Sequence, residues 1–358
     1  MKKQSFLTRI LLGGFLLANT FLFTSCEKNT EGPKGSYEKG VFVVNEGAFG
    51  KGNGAISFYN PSSKATETDI FYSVNNRPLG DVVQSMTIFN EKAYVVVNNS
   101  NKIEITDANT FKSVGSIEGL KLPRYFTVAN NKGYVTEWVA FSGNGRVSVI
   151  NLANNTVTKT IEVGALPERL VVVNNKLYVT NSNSNTVSVI NTATDVVETT
   201  ITVGDSPNSL AVDANNKIWV LAGGKTAYNS DWSVDVAAST AGSLSRINTS
   251  TNAVEATLPF ATKTGSPNSL TSNKEKNKFY YKAAGKVYQL DITATSLPTT
   301  AFINRNFYGL GVDPNTNIIY GALAGSFTAD SKAIRYNTNG TAIDSFATAI
   351  GPNGFIFK

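Results

Sequence analysis

Histidine is missing altogether from this 358-residue sequence. Its absence excludes Ser-His-Asp and Cys-His catalysis as usually built, and removes the commonest zinc ligand and the proximal haem ligand. Cysteine is almost as scarce. Cys26 stands alone, so no intrachain disulfide can form and the fold must hold by packing and hydrogen bonding. No cluster of lysines and arginines is suited to tracking phosphates, which argues against a nucleic-acid partner. The formal net charge of +6 is partly a property of the amino terminus, where Lys2, Lys3 and Arg9 occur without an acid; +6 less those three is +3. Past that terminus no long apolar run remains, hence no further membrane span. Closely spaced acids of the calcium-loop kind are absent. The stretch "GKGNG" (50–54) is followed by no helix, so it lacks the geometry of a phosphate-binding loop and reads as a flexible tip.

Residues 1–25 join that positive start to a mostly apolar segment, Ile10 to Phe23, and close on "LFTSC". This is a secretory leader, too short and wrongly flanked to be a spanning helix. The cysteine after small residues resembles a bacterial lipoprotein box, which implies that Cys26 becomes the lipid-modified first residue of the mature chain. Ordinary cleavage near Ser25 with Cys26 left free is the plainer alternative. Glu27 to Lys39 is polar and carries Gly32, Pro33 and Gly35, so residues 26–39 read as a flexible tether and 40–358 as the folded domain.

Internal repetition decides the fold class. One strand recurs as "GVFVVN" (40–45), "KAYVVVN" (92–98), "KGYVTEW" (132–138), "KLYVTN" (176–181), "KIWVLAG" (217–223), "KFYYKA" (278–283) and "NIIYGA" (317–322). The spacing is near 40 residues and grows where loops are inserted; with four short alternating runs per unit it is the pattern of a propeller blade. Connections such as "NN" (174–175) and "TATD" (192–195) supply the residues that tight hairpins favour. The expected architecture is an all-β, seven-bladed β-propeller of four-stranded antiparallel blades. The first blade starts on its second strand, and "PNGFIFK" (352–358) matches the missing first strand, so the carboxy terminus should close the ring and cover its edges. A linear β-solenoid is the alternative that this complementarity disfavours.

"YVTN" (178–181), with "VSVINTAT" and "VGDSPNSLAV", resembles the YVTN/YncE-like β-propeller family over residues 40–358. The start "VFVVNEGAFGKGNGAISFYNP" after a lipoprotein box further resembles surface lipoprotein propellers of Bacteroidetes. That group includes cobalamin-capturing proteins which work with outer-membrane TonB-dependent transporters. The second resemblance implies a lipid-anchored protein on the outer membrane, facing outward.

Loop lengths are uneven in a way that geometry can sort. Second-to-third and fourth-to-first connections share one face of a propeller, and most large excursions fall there: 45–55, 137–146, 222–243 and 322–333 of the first kind, with 72–83 and 304–309 of the second. Long loops grouped on one side of a rigid scaffold make a binding surface. They carry Phe49, Tyr72, Trp138, Phe141, Tyr228, Trp232, Phe307, Tyr308 and Phe327. Any single loop aromatic is more often a local anchor, but a group on one face can wall an apolar ligand. The joints leading into the innermost strands read "LPRYF", "LPERL", "SPNSL", "SPNSL", "NFYGL" and "GPNGF", which places Arg124, Glu168, Asn208, Asn268, Phe307 and Asn353 around the axis. Asn and Ser there can be turn chemistry. Arg124, Glu168 and Arg169 need another reason, because turns do not ask for charge.

The expectation is a non-enzymatic capture protein with no cofactor. Arg124, Glu168, Arg169, Asn208 and Asn268 would make polar contacts, and Trp138, Phe141, Tyr228, Trp232 and Phe307 would form apolar walls. The ligand would be a bulky amphipathic nutrient, with a corrinoid such as cobalamin first by resemblance, passed to a TonB-dependent transporter. A protein- or glycan-binding scaffold of the cell envelope is the second reading. A carboxylate-dependent glycan enzyme is the third; it would need two of Glu46, Glu137, Glu168 and Asp205 to converge.

Overall fold

Period-two alternation with β-branched and aromatic residues on both faces builds sheets that are covered on both sides. In "KLYVTN", Leu177, Tyr178 and Val179 are all fully buried, because the strand Lys176–Asn181 lies inside its sheet and the sheet lies between two others. The hairpins that lead out of the innermost strands turn on Asn130–Asn131 and Asn174–Asn175, both residues of each pair left-handed, as a two-residue turn matching strand twist requires. The computed structural model describes Gly32 and residues 34–358. The leader and Cys26 lie outside the described residues.

The described sheets form seven blades. In the first, Pro352–Phe357 pairs with Val41–Asn45, Val41–Asn45 with Ala55–Asn60, and Ala55–Asn60 with the outermost strand Ala65–Glu67. The last strand therefore sits innermost in the first blade, and ring closure is as the sequence implies. The second to fifth blades occupy 83–117, 123–165, 167–202 and 207–259, and the seventh occupies 309–348. The sixth departs from the expected four strands. It has three, Asn268–Ser272, Lys278–Ala283 and Lys286–Asp291, with a single bridge from Val287 to Ile303 where a fourth would lie. Pro298, which has no N–H to give to a ladder, falls in the segment that leads to this bridge.

Two other segments differ from expectation. The connection starting at Tyr72 is in part a helix, Ile70–Asn75, capped by the Asp69 carboxylate on the Tyr72 amide and ended by left-handed Asn76. It buries Ile70 and Phe71 against the first two blades. The tether, expected to run to Lys39, is already docked before that: Tyr37 is buried between Phe58 and Phe111, and its hydroxyl bonds Glu67.

Apolar clusters sit between successive blades, so each interface is a core of its own. The repeat's tyrosine rivets these interfaces. Tyr134 donates to Asp195, and Tyr178 to Asn252, each reaching an outer turn of the following blade.

Candidate functional site

Six of the seven joints that lead into the innermost strands share one backbone device, the joint before Tyr308 being the exception. Val82, Leu122, Leu166, Ser206, Ser266 and Gly351 all have positive φ, an arrangement that costs a bulky residue of order 1–3 kcal/mol. The carbonyl at the joint then accepts from the first amide of the long loop beside it, as Leu122 does from Trp138 and Leu166 from Ser182. This turns the chain at the axis and fixes the residues that follow as two rings. Gln84, Arg124, Glu168, Asn208, Asn268, Tyr308 and Asn353 form the upper ring, one per blade. Ser85, Tyr125, Arg169, Ser209, Ser269, Gly309 and Gly354 form the lower.

Arg124 and Glu168 are bound to one another. The guanidinium makes a two-pronged pair with the carboxylate (2.9 and 2.7 Å) and a third bond of 2.5 Å to the Gln84 side-chain oxygen. Trp138 covers the pair. Its ring stacks 4.0 Å from the guanidinium carbon, and its indole N–H donates to Glu168. Desolvation is the largest influence on Arg124 and acts to lower its pKa, but the charge and hydrogen bonds of Glu168 outweigh it, so the guanidinium is held above its ordinary value. On the other side of Gln84, Asn353 donates to the Gln84 carbonyl and to Glu46, and Glu46 also accepts from the Tyr308 hydroxyl. A belt of hydrogen bonds thus runs from Tyr308 across the first three blades to Glu168.

Tyr125 and Arg169 fill the axis below this belt. In the other blades the lower ring carries only serine or glycine, which leaves the room they occupy. Arg169 lies 4.0 Å over the Tyr125 ring, and the Tyr125 hydroxyl accepts from Gln84. Together with Ser269 they line both axial cavities, one of about 270 Å³ at the loop-rich mouth and one of about 550 Å³ beneath. The channel is therefore partitioned.

Lys282 was not foreseen. It occupies the strand position held by Thr136 and Thr180 in the third and fourth blades. Where Thr136 donates to the Glu168 carbonyl of the next blade, Lys282 reaches the Phe307 and Tyr308 carbonyls. Burial, and then the charge of Arg169, push its pKa down to about 8. Below that pH both folded and unfolded chains hold the proton, and the folded state bears the cost of a desolvated cation. From about 8 up to the ordinary 10.5 the folded state gives up the proton first, so stability gains with rising pH. The wild-type Tm should therefore gain on that of Lys282→Met between pH 7.5 and 10.5, measured by thermal melts; a constant difference would refute the assignment.

The remaining expected residues divide. Asn208 donates to the Pro267 carbonyl and Asn268 to the Ser266 carbonyl, so both satisfy backbone while facing the mouth. Phe141 packs edge-on to Trp138, and Tyr228 tilts against Trp232 on a small hairpin, Ala227–Tyr228 with Val234–Asp235. Trp232 is 84% exposed and Phe141 69%. Phe307 is a correction: it is buried, with its ring against Gly321 and Tyr336. It stands at the chain position that proline holds in the sister joints, but its ring lies against its own blade, and Tyr308, one residue on, takes the upper-ring position.

The carboxylates are occupied. Glu137 is fully buried, held by both prongs of Arg146, by Ser148 and by the Lys121 amide. Asp205 accepts from Thr240, and Glu46 and Glu168 belong to the belt. Of these, Glu46 and Glu168 both act on Arg124, while Glu137 is turned into its own blade.

Fold and mouth together define a seven-bladed β-propeller with a belted, partitioned axis beneath long loops. The chain belongs to the family described as a domain of unknown function, DUF5074, which matches residues 39–357. No curated protein matches it by sequence. Among solved structures it is similar to a functionally unknown protein of Desulfotomaculum acetoxidans (TM-score 0.66, 11% identity, 89% of this chain and 98% of that one). It is similar too to a quinonprotein alcohol dehydrogenase-like protein of Bacteroides thetaiotaomicron (0.64, 15%, 89% and 78%). A third is the periplasmic gluconolactonase of Pseudomonas aeruginosa (0.63, 10%, 88% and 99%). At these identities the likeness is one of fold alone.

Proposed function

We propose that this protein is a non-enzymatic capture protein, lipid-anchored to the outer membrane through Cys26, that holds a bulky amphipathic nutrient in the loop-rich mouth and passes it to a TonB-dependent transporter. The observation that carries the reading is the pairing of an aromatic rim with a polar floor: Trp138, with Phe141 edge-on to it, stands over the Arg124–Glu168 pair and lines a cavity of about 270 Å³. Such a site suits a ligand with an apolar body and polar edges. A corrinoid such as cobalamin has that shape, and the resemblance of the amino-terminal segment to surface lipoprotein propellers makes it the first ligand to test. The engagement of Glu46, Glu137, Glu168 and Asp205 in fixed bonds favours binding over carboxylate catalysis.

The test is calorimetric titration with cyanocobalamin, with haem and a ferric siderophore as controls. Stoichiometric corrinoid binding is expected, weakened about tenfold or more by Trp138→Ala, since a stacked ring is worth more than a kcal/mol. No heat with any of the three removes the corrinoid. A second reading has its own observation: Phe49, Phe141, Tyr228 and Trp232 are more than half exposed, which favours a flat protein- or glycan-binding face. In that case binding to a glycan or protein partner should be lost in Trp232→Ala and untouched by Trp138→Ala.

A further inference from the structure

Among the described residues, Arg77, Arg124, Arg146, Arg246 and Arg335 each pair with a carboxylate, and Arg305 is exposed on the surface. Arg169 does neither. It is half-buried at the axis, its guanidinium rests on the face of Tyr125, and it makes no side-chain hydrogen bond or ion pair among the described residues. Lys282 stands beside the same mouth: it pairs in register with Asn268, which lines the mouth, it bonds the carbonyl of Tyr308 in the upper ring, and Arg169 acts on it as a like charge. Lys282 spends N–H groups on the Phe307 and Tyr308 carbonyls, which neutralise nothing, and an ammonium has three to give. The acids of the mouth do not balance the two: Glu168 is held by Arg124 and Trp138, and Glu46, bonded by Tyr308 and Asn353, faces Arg124, while no acid acts on Lys282. Below the partition the cavity lining carries Arg169, Lys274 and Lys276 but no carboxylate.

Two cations held near one another without an acid cost free energy that a bound anion would recover. We propose that Arg169 and Lys282 form an oxyanion subsite in the floor of the mouth, which takes a carboxylate or phosphate group carried by the captured ligand. The guanidinium supplies a planar fork for two oxygens, and the ammonium supplies a point charge with a free donor. The subsite rests on the reading that the mouth takes a ligand, but it is tested with small anions alone.

Inorganic phosphate and, separately, acetate are titrated calorimetrically into the purified protein and into Arg169→Ala, Arg169→Lys, Lys282→Met and the surface control Arg305→Ala. Saturable binding of at least one anion is expected. It should weaken roughly tenfold or more in Arg169→Ala and Lys282→Met, less in Arg169→Lys, and not in Arg305→Ala. A preference for phosphate assigns a phosphorylated ligand, and the reverse a carboxylate. Should Arg169→Ala not fold, Arg169→Lys still decides, because it keeps the charge and removes the fork. No saturable binding of either anion up to the order of tens of millimolar, or binding that survives both Arg169 and Lys282 substitutions, overturns the subsite. Anion binding without corrinoid binding removes the corrinoid alone; corrinoid binding indifferent to Arg169, with no anion binding, removes the subsite alone.

Discussion

Deletion of Pro352–Lys358 is expected to abolish the cooperative melt of this protein. The segment supplies the innermost strand of the first blade, pairing along Val41–Asn45, and Lys358 reaches the Ala108 carbonyl and Asn109 in the second blade. Phe355 is buried, and Ile356 and Phe357 pack on the clusters to either side. Burying these three side chains is worth about 4–7 kcal/mol, within the range of 5–15 kcal/mol that a whole domain has to lose. The exposed edge of Val41–Asn45 would also become a template for pairing with other chains. Thermal melts followed by circular dichroism should show no sharp transition, and the missing peptide added in excess should restore one. A truncated chain that melts cooperatively within a few degrees of the full protein would show that the seam is not what holds the ring.

The second large effect is expected at the mouth. Arg124 and Glu168 are only 13% and 12% exposed, so removal of either leaves the other as a poorly hydrated charge. Arg124→Ala and Glu168→Ala should each cost about 3 kcal/mol, whereas Arg124→Met with Glu168→Leu should cost clearly less than the sum of the two. Denaturant titrations read all three. Single losses below about half a kcal/mol, as for surface pairs, would mean that water already reaches the pair. Arg124→Lys should not restore the wild-type value, because a lysine can neither fork the carboxylate nor lie flat under Trp138.

Much of the architecture was legible because it repeats. The tyrosines of the repeat, the Asn-Asn turns and the unmatched last strand each point to one blade plan, and the structure follows them. The joints were legible where proline marks them, which is why Arg124, Glu168, Asn208, Asn268 and Asn353 were placed at the axis. Phe307 was placed wrongly because its joint has no proline to mark the register, so that Tyr308, one residue on, takes the axial position. The partition was hidden for a different reason. Tyr125 looks like an ordinary strand residue, and the charge of Arg169 points to a ligand contact rather than a plug, until both are set beside Ser85, Ser209, Ser269 and Gly354, whose smallness is the signal. Lys282 could likewise have been found only by aligning it with Thr136 and Thr180. The helix at Ile70–Asn75 had its sign in Asp69, a capping residue ahead of an apolar pair.

The upper ring has one residue per blade and no two neighbouring blades alike except Asn208 and Asn268. A propeller with identical blades would present any bound molecule with seven equivalent orientations, and a ligand would be scrambled among them at a gain of roughly 1 kcal/mol in entropy. Here the backbone keeps the rotational symmetry and the side chains break it. Glu46, Glu168 and Arg124 leave one sector of the mouth with more acid than base, while Arg169 and Lys282 leave another positive. The result is a compass bearing in an otherwise circular site, so that a molecule seated there presents one fixed side to whatever approaches from above.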